Sequence, residues 1–235
     1  VSAVIALFPL EYVLLPGLPL PLHIFEPRYR QMIADVGACS GGGLGAFGVV
    51  LEPSVGADFA AAGAARDHRG PLALNGGFAE IGTMAEILEN EPYEDGRCDL
   101  LTVGSRRFRL LNVDTTSKPY LQATVEFLDE IDGDLDIPTT ATARSLLIRY
   151  TSVLARLTGS VEDAQLPGDA LRMSYEIASR LQLTTQDRQQ LLASPSAAGR
   201  LRREVDLLRR EIALLEATSA VPVPPQVLRV RTSDN

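Results

Sequence analysis

From Ile5 to Met32 the chain reads IALFPLEYVLLPGLPLPLHIFEPRYRQM, a run as apolar as a membrane anchor that carries Pro9, Pro16, Pro19, Pro21 and Pro27. Proline inside a helix removes a hydrogen bond and clashes with the preceding turn. A membrane-spanning helix needs about 20 mostly apolar helical residues, and the prolines together with Glu11 deny it that. A secretory signal opens on a positive region, and the first basic residue here is Arg28. Short apolar runs punctuated by proline instead suit edge strands and extended buried connections, where the missing N–H faces away from a ladder. The pattern predicts short strands at Ile5–Phe8 and Tyr12–Leu15, a turn at Pro16-Gly17 and an extended, buried segment over Leu18–Ile24. At FEPRYR the period changes. Tyr29, Met32, Ile33 and Val36 fall at helical spacing, with Pro27 suited to the first turn and Gly37 to the C-terminal cap.

The next segment, GACSGGGLGAFGVVLE, contains Gly43-x-Gly45-x-x-Gly48. A dinucleotide fingerprint has its strand before the glycines and its helix after them; here the order is reversed, so the plain reading is a loop leading into the strand FGVVL. Residues 53–75 are Ala/Gly-rich without periodicity and read as a long mobile excursion. Further on, Asp95-Gly96 separates two strand-like runs as a hairpin turn would. Leu101, Val103, Phe108 and Leu110 can serve a core on the return strand, with a break expected at Gly104-Ser105. YLQATVEFLDE supplies another strand. Six or seven short strands and one helix in this half are most economically arranged as a closed or nearly closed barrel, which hides strand edges.

After DEIDGDLDIP the pattern becomes helical, with helices predicted at 140–157, 168–182, 185–193 and 195–217 and with Ser194-Pro195 as the last helix's cap and first turn. Leu201, Val205, Leu208, Ile212 and Leu215 step by 4-3-4-3, a seam that suits packing in the chain's own bundle or a weak dimer through 201–215. From Thr218 the Pro-rich sequence reads as a disordered tail. The expected division is therefore a β-barrel over 1–130, a helical part over 131–217 and a tail over 218–235. The fold class is α+β.

Charge and residue usage narrow the function. A net charge of −8 and a pI near 4.9 disfavour nucleic acid and anionic membrane as general partners. Cys39 and Cys98 have no CxxC spacing and read as unpaired thiols of a reducing cytoplasm. Lys118 is the single lysine, in TTSKPY. That context fits neither a phosphate-binding loop nor a lysine nucleophile, so ATPase and lysine-dependent catalysis are set aside. His23 lies in an apolar extended run and reads as a hydrogen-bonded structural residue. His68 has only Asp67 beside it. No metal site, cofactor or catalytic constellation stands out.

LFPLEYVLLPGLPLPLHIFEPRYRQM, followed in order by IGTMAEIL, DGRCDLLTVGSRRFRLL and YLQATVEFL, resembles the N-terminal substrate-binding domain of Lon proteases. LHIFEPRYRQM and GSRRF carry most of the likeness, which spans nearly the whole chain. The resemblance implies a PUA-like β-pseudobarrel followed by a C-terminal helical bundle. It also implies a stand-alone bacterial Lon-domain protein, since no Walker motif and no dyad lysine are present. Substrate recognition carries over by that similarity; proteolysis does not.

The expected function is thus a non-catalytic, cytoplasmic module that binds unfolded or extended polypeptides, with a separate protease or chaperone as a further partner. The candidate peptide-binding residues are Glu26, Arg28 and Tyr29 at the helix start and Arg106, Arg107 and Phe108 on the return strand. Each has a plainer reading: Glu26 pairing with an arginine such as Arg28 or Arg107, and the arginines forming a solvated strand face. Two rivals stand beside this. One is an RNA-binding PUA-like protein seated on Arg106, Arg107, Arg109 and Phe108. The other is a small hydrolase that works without lysine.

Overall fold

One strand organises the N-terminal half. β5, Cys98–Asp114, is 17 residues long and pairs with three neighbours. The other strands are β1 (Ser2–Leu10), β2 (Pro19–Ile24), β3 (Ala46–Leu51), β4 (Ile81–Pro92) and β6 (Leu121–Phe127), with helix α1 over Pro27–Cys39. The computed structural model describes residues 2–39, 43–52, 77–159 and 167–218, with Cys39 and Thr218 described by their backbone alone. The excursion expected at 53–75, His68 and all of the expected tail except Thr218 lie outside them.

The sheet order is β2-β5-β4-β3-β1-β6, and β6 also pairs with β5. The first half of β5 lies between β2 and β4, while its second half meets β6 through pairs such as Leu110↔Val125. That second pairing closes the circuit, so the expected barrel is present. β1 runs parallel to β3 and antiparallel to β6. The closed circuit needs room for one ring. Phe108 is fully buried, and a Cβ at Gly82 would lie 2.4 Å from its ring, one at Gly48 3.0 Å. Ile5 reaches the same place, 2.5 Å from that position at Gly48. Glycine at 48 and 82 therefore lets the barrel close around Phe108, since interiors at crystal-like packing leave no space for two more methyl groups.

Outside the barrel wall, Ala6, Phe8, Phe47 and Val49 form a second core with Tyr29, Met32 and Ile33 of α1. The rings of Phe8 and Tyr29 are 4.3 Å apart between centroids. The spacing that announced an amphipathic helix is the spacing that buries these side chains.

Local readings needed correction. Tyr12–Leu15 is not a strand; it is a buried crossing segment held where Thr83 Oγ1 donates to the Leu14 carbonyl at 2.7 Å. Gly104-Ser105 does not break β5. Gly104 is small because the crossing segment passes against it, and a Cβ there would lie 2.3 Å from the Leu15 carbonyl oxygen. α1 continues past Gly37 to Cys39.

The chain divides into two compact units, Val1–Asp129 with Arg188–Ala193, and Glu130–Asp187 with Ser194–Asn235. The second contains α2 (Ile137–Thr158), α3 (Ala170–Arg180) and α5 (Ala197–Thr218), and the division falls within α4 (Thr185–Ala193). α2 starts three residues earlier than expected because Asp136 caps it, accepting from the Thr139 N–H, with proline in the first turn. α5 starts later than Ser194-Pro195 because Ser196 is its cap, accepting from the Gly199 N–H at 3.2 Å. Leu201, Val205, Leu208, Ile212 and Leu215 are all buried within the chain. That stripe is used in the packing of the chain's own helices.

Candidate functional site

A closed barrel has no free edges, but this one is closed by strands of unequal length. β1 pairs with β6 over Ser2–Leu7, whereas β3 joins it only from Leu7 onward. Among the described residues, Ser2–Ile5 therefore has a strand on one side only. The direction of its main-chain groups follows from one contact. The Leu10 carbonyl accepts from the Glu52 N–H at 2.8 Å, so Leu10 faces the β3 side. Alternation along the strand, with no register shift, places Ser2, Val4 and Ala6 on that same side. Val4 thus presents an N–H and a C=O to the open edge, and the residue is 67% exposed.

A pocket of about 530 Å³ opens beside this edge. Val4, Ile5 and Ala6 form one side, Asp35, Val36 and Ala38 of α1 another, with Gly45 and Ala46 where β3 begins and Lys118, Tyr120 and Gln122 on the approach to β6. The volume lies within the range of small-ligand clefts, about 300–1,000 Å³. Its wall is mostly apolar, and its two charges face each other. Lys118 Nζ donates to Asp35 Oδ2 at 2.9 Å, Tyr120 Oη donates to the same oxygen at 2.8 Å, and Gln31 Nε2 donates to Oδ1 at 2.7 Å. These bonds, led by that of Lys118, hold the Asp35 carboxyl down to about 2. The group stays ionised, and its charge is answered within the pocket.

The residues singled out in the sequence lie elsewhere. Glu26 and Arg28 pair with each other at 2.8 Å in the turn that starts α1. Tyr29 is buried under Phe8, with the Arg28 guanidinium over its ring at 4.6 Å. Burial pushes the Tyr29 hydroxyl up. Phe108 fills the barrel and Arg107 is 1% exposed, donating to the Leu192 carbonyl at 2.7 Å. Arg109 is held by Glu80 at 3.0 Å and Glu126 at 3.1 Å, and Arg106 lies over the Phe127 ring. Buried side chains cannot reach a ligand from outside, so Tyr29, Arg107 and Phe108 serve the fold. The proposed seat for RNA is likewise dismantled: two of its four members are interior and a third is engaged by two carboxylates.

His23 is bonded as expected, its Nδ1 lying 2.5 Å from Asp99 Oδ1, though half of the side chain is exposed. Tyr93 Oη donates to Asp99 Oδ2 at 2.6 Å. Those two bonds, Tyr93's first, lower the Asp99 carboxyl. Cys98 is a free, buried thiol, raised mainly by that burial. Among the described residues no cluster of three or more His, Cys, Asp or Glu side chains could hold a metal ion. No described helix is long and apolar enough to cross a membrane.

Asp35, Lys118, Tyr120 and Val4 carry no local signature that would have exposed the pocket. Asp35 and Lys118 are 83 residues apart, and only the packing of α1 against β1 and β3 brings Asp35 to the approach of β6 where Lys118 lies. The one sequence signal was that the single lysine lies immediately before a proline and a strand.

Comparison with known proteins gives a consistent answer. The family profile described as the ATP-dependent protease La (LON) substrate-binding domain matches residues 4–210. Lon protease 2 of Syntrophobacter fumaroxidans is 24% identical over 212 residues, covering 89% of this chain and 24% of that protein. Lon protease 2 of Herpetosiphon aurantiacus is 30% identical over 141 residues, covering 58% of this chain and 17% of that protein. The chain thus spans about a quarter or less of these relatives. The solved Lon N-terminal domain protein from Xanthomonas campestris superposes with a TM-score of 0.61 at 23% identity, covering 87% of this chain and 98% of that one. The N-terminal domain of Mycobacterium avium complex Lon protease gives 0.57 at 15% identity, covering 88% and 98%. These two likenesses bear on the fold.

Proposed function

This chain belongs to the Lon substrate-binding domain family, and from that premise we propose that it recognises unfolded or extended polypeptides by adding them as a strand to the open edge of β1. The observation that carries the reading is the stretch Ser2–Ile5, paired on its β6 side alone among the described residues, beside an apolar pocket. A sheet edge offers main-chain hydrogen bonds to any extended chain, irrespective of its side chains, while an adjoining pocket adds affinity and some choice. A folded protein has already spent its backbone groups on its own secondary structure and gains nothing at such an edge. Selectivity for unfolded clients follows without any sequence code.

In this reading the protein makes and breaks no bonds. It holds a client, in the cytoplasm, for a separate protease or chaperone. The test is isothermal titration of the full chain with β-casein, an intrinsically unfolded protein, against a folded protein of similar size. Saturable binding of the first alone is the expected result. Equal binding of both, or of neither, would remove the proposal.

A further inference from the structure

We infer that Arg200 is a cation shared by two carboxylates of the second unit, Glu130 and Glu204, and that a proton on Glu204 decides which of them holds it. This goes beyond the proposed function and does not rest on it. Arg200 is fully buried in α5. Its Nε donates to Ser174 Oγ at 3.0 Å and its Nη2 to Glu130 Oε2 at 3.0 Å, with the guanidinium over the Tyr175 ring at 4.2 Å. The Tyr175 hydroxyl donates to the other Glu130 oxygen at 2.8 Å. Glu204 lies one helical turn further along the same face of α5. It too is fully buried, and neither of its carboxyl oxygens has a hydrogen-bond partner among the described residues. A buried carboxylate without a donor is costly, so the side chain is held as the neutral acid. Burial pushes the Glu204 carboxyl well above the usual carboxylate range, and the charge of Arg200 offsets that only in part.

The other titratable groups around α5 are uncharged or engaged. α2 buries Tyr150 and α3 buries Tyr175. Arg144 of α2 donates to the Pro167 carbonyl, and Glu176 of α3 pairs with Arg180 at 2.7 Å. Asp187 and Glu211 are each held by Arg210 at 3.0 Å. Arg200 is therefore the cation that an ionised Glu204 can draw on, and it is the one that holds Glu130. Glu130 opens the segment that leads into α2. That segment is fastened to α5 by the Ala197 and Ala198 N–H groups, which donate to the Ile131 and Asp132 carbonyls at 2.9 Å each. Both amides sit in the first turn of α5, where the helix offers them no acceptor of its own. Ionisation of Glu204 turns Arg200 away from Glu130, and the lead segment loosens from α5.

Those two amides report the switch. Their exchange is followed by NMR in the full chain across the pH range, corrected for the intrinsic rate, while the carbon-13 resonance of the Glu204 carboxyl is titrated in the same sample. That carboxyl should titrate well above the exposed Glu89. As it ionises, protection at Ala197 and Ala198 should fall about tenfold, with the buried Leu208 of the same helix unchanged. Glu204→Gln keeps the shape of the neutral acid and cannot ionise, so protection at both amides should stay level. Glu130→Gln removes the carboxylate that Arg200 holds. It should leave both amides several-fold less protected than in the native chain at every pH below the Glu204 midpoint. An equal fall in Glu204→Gln, or protection that holds while Glu204 ionises, would overturn the inference. So would an equal loss at Leu208, or a Glu204 carboxyl that titrates with Glu89 or not at all.

Discussion

β2 and the start of β1 each lack a partner on one side among the described residues, and they treat that side in opposite ways. β2 pairs only with β5. The Leu18 carbonyl accepts from the Gly104 N–H at 2.9 Å, so alternation turns Leu20 and Leu22 toward β5 and Pro19, Pro21 and His23 outward. Two of the three outward residues have no N–H to give. That edge is blunted against strand addition, in the way natural sheets protect themselves from aggregation. On β1 the outward residues are Ser2, Val4 and Ala6, every one with a donor, while Pro9 lies beyond the stretch that pairs with β6. One edge is sealed by sequence and the other is left open beside a pocket.

The comparison can be broken most forcefully from inside. Ile5 faces β6, so Ile5→Pro removes a ladder donor as well as packing around Phe108 and should cost on the order of 3 kcal/mol or more. Ile5→Val, which keeps the N–H, should cost about 1 kcal/mol. Urea titrations of the two variants measure the difference. Val4→Pro one residue away removes only an outward donor. It should leave the unfolding free energy from urea titration within about 1 kcal/mol of native yet weaken β-casein binding by about tenfold. In effect it gives β1 the edge that β2 already has.

The reverse exchange sharpens the contrast. Replacing Pro19 and Pro21 together by valine restores two outward donors on β2 and should produce concentration-dependent self-association in sedimentation velocity, absent from the native chain at equal concentration. The smallest effect concerns the pocket. Asp35 has its carboxyl lowered in the folded state to about 2, against an ordinary value near 3.8. A depressed folded value contributes stability that is present above the unfolded value and is lost as pH falls through the folded one. The stability gap between native protein and Asp35→Asn should therefore shrink as pH is lowered from 4 to 2 and be constant from 5 to 7, as thermal melts across that range would register.

Much of this fold can be read from residue order alone. Proline spacing excluded a helix across the opening run, and the change of period at Pro27 located α1, because both signals are local. The Asp95-Gly96 turn announced the β4–β5 hairpin for the same reason, with Gly96 at φ 83°. What local pattern hid was function by position. Arg107 looks like part of a charged surface in sequence; it lies on the face of β5 opposite Phe108, and only the distant Leu192 carbonyl, which accepts from it, accounts for its burial. Gly104 looks like a strand break until the crossing segment is seen lying against it. The edge of β1 was equally invisible, since whether Ser2–Ile5 has a second neighbour depends on where β3 begins to pair, and no residue of β1 encodes that. His23 shows the intermediate case: its need for a hydrogen-bonding partner was foreseeable, but not that Asp99 supplies it across the β2–β5 register.

The most direct measurement is amide hydrogen exchange at single residues in the full chain, with and without saturating β-casein. Strand addition to β1 predicts that the Val4 N–H becomes strongly protected on binding while the outward His23 N–H of β2 keeps its free rate. Protection at His23 with Val4 unchanged, or binding that protects neither, would contradict the account.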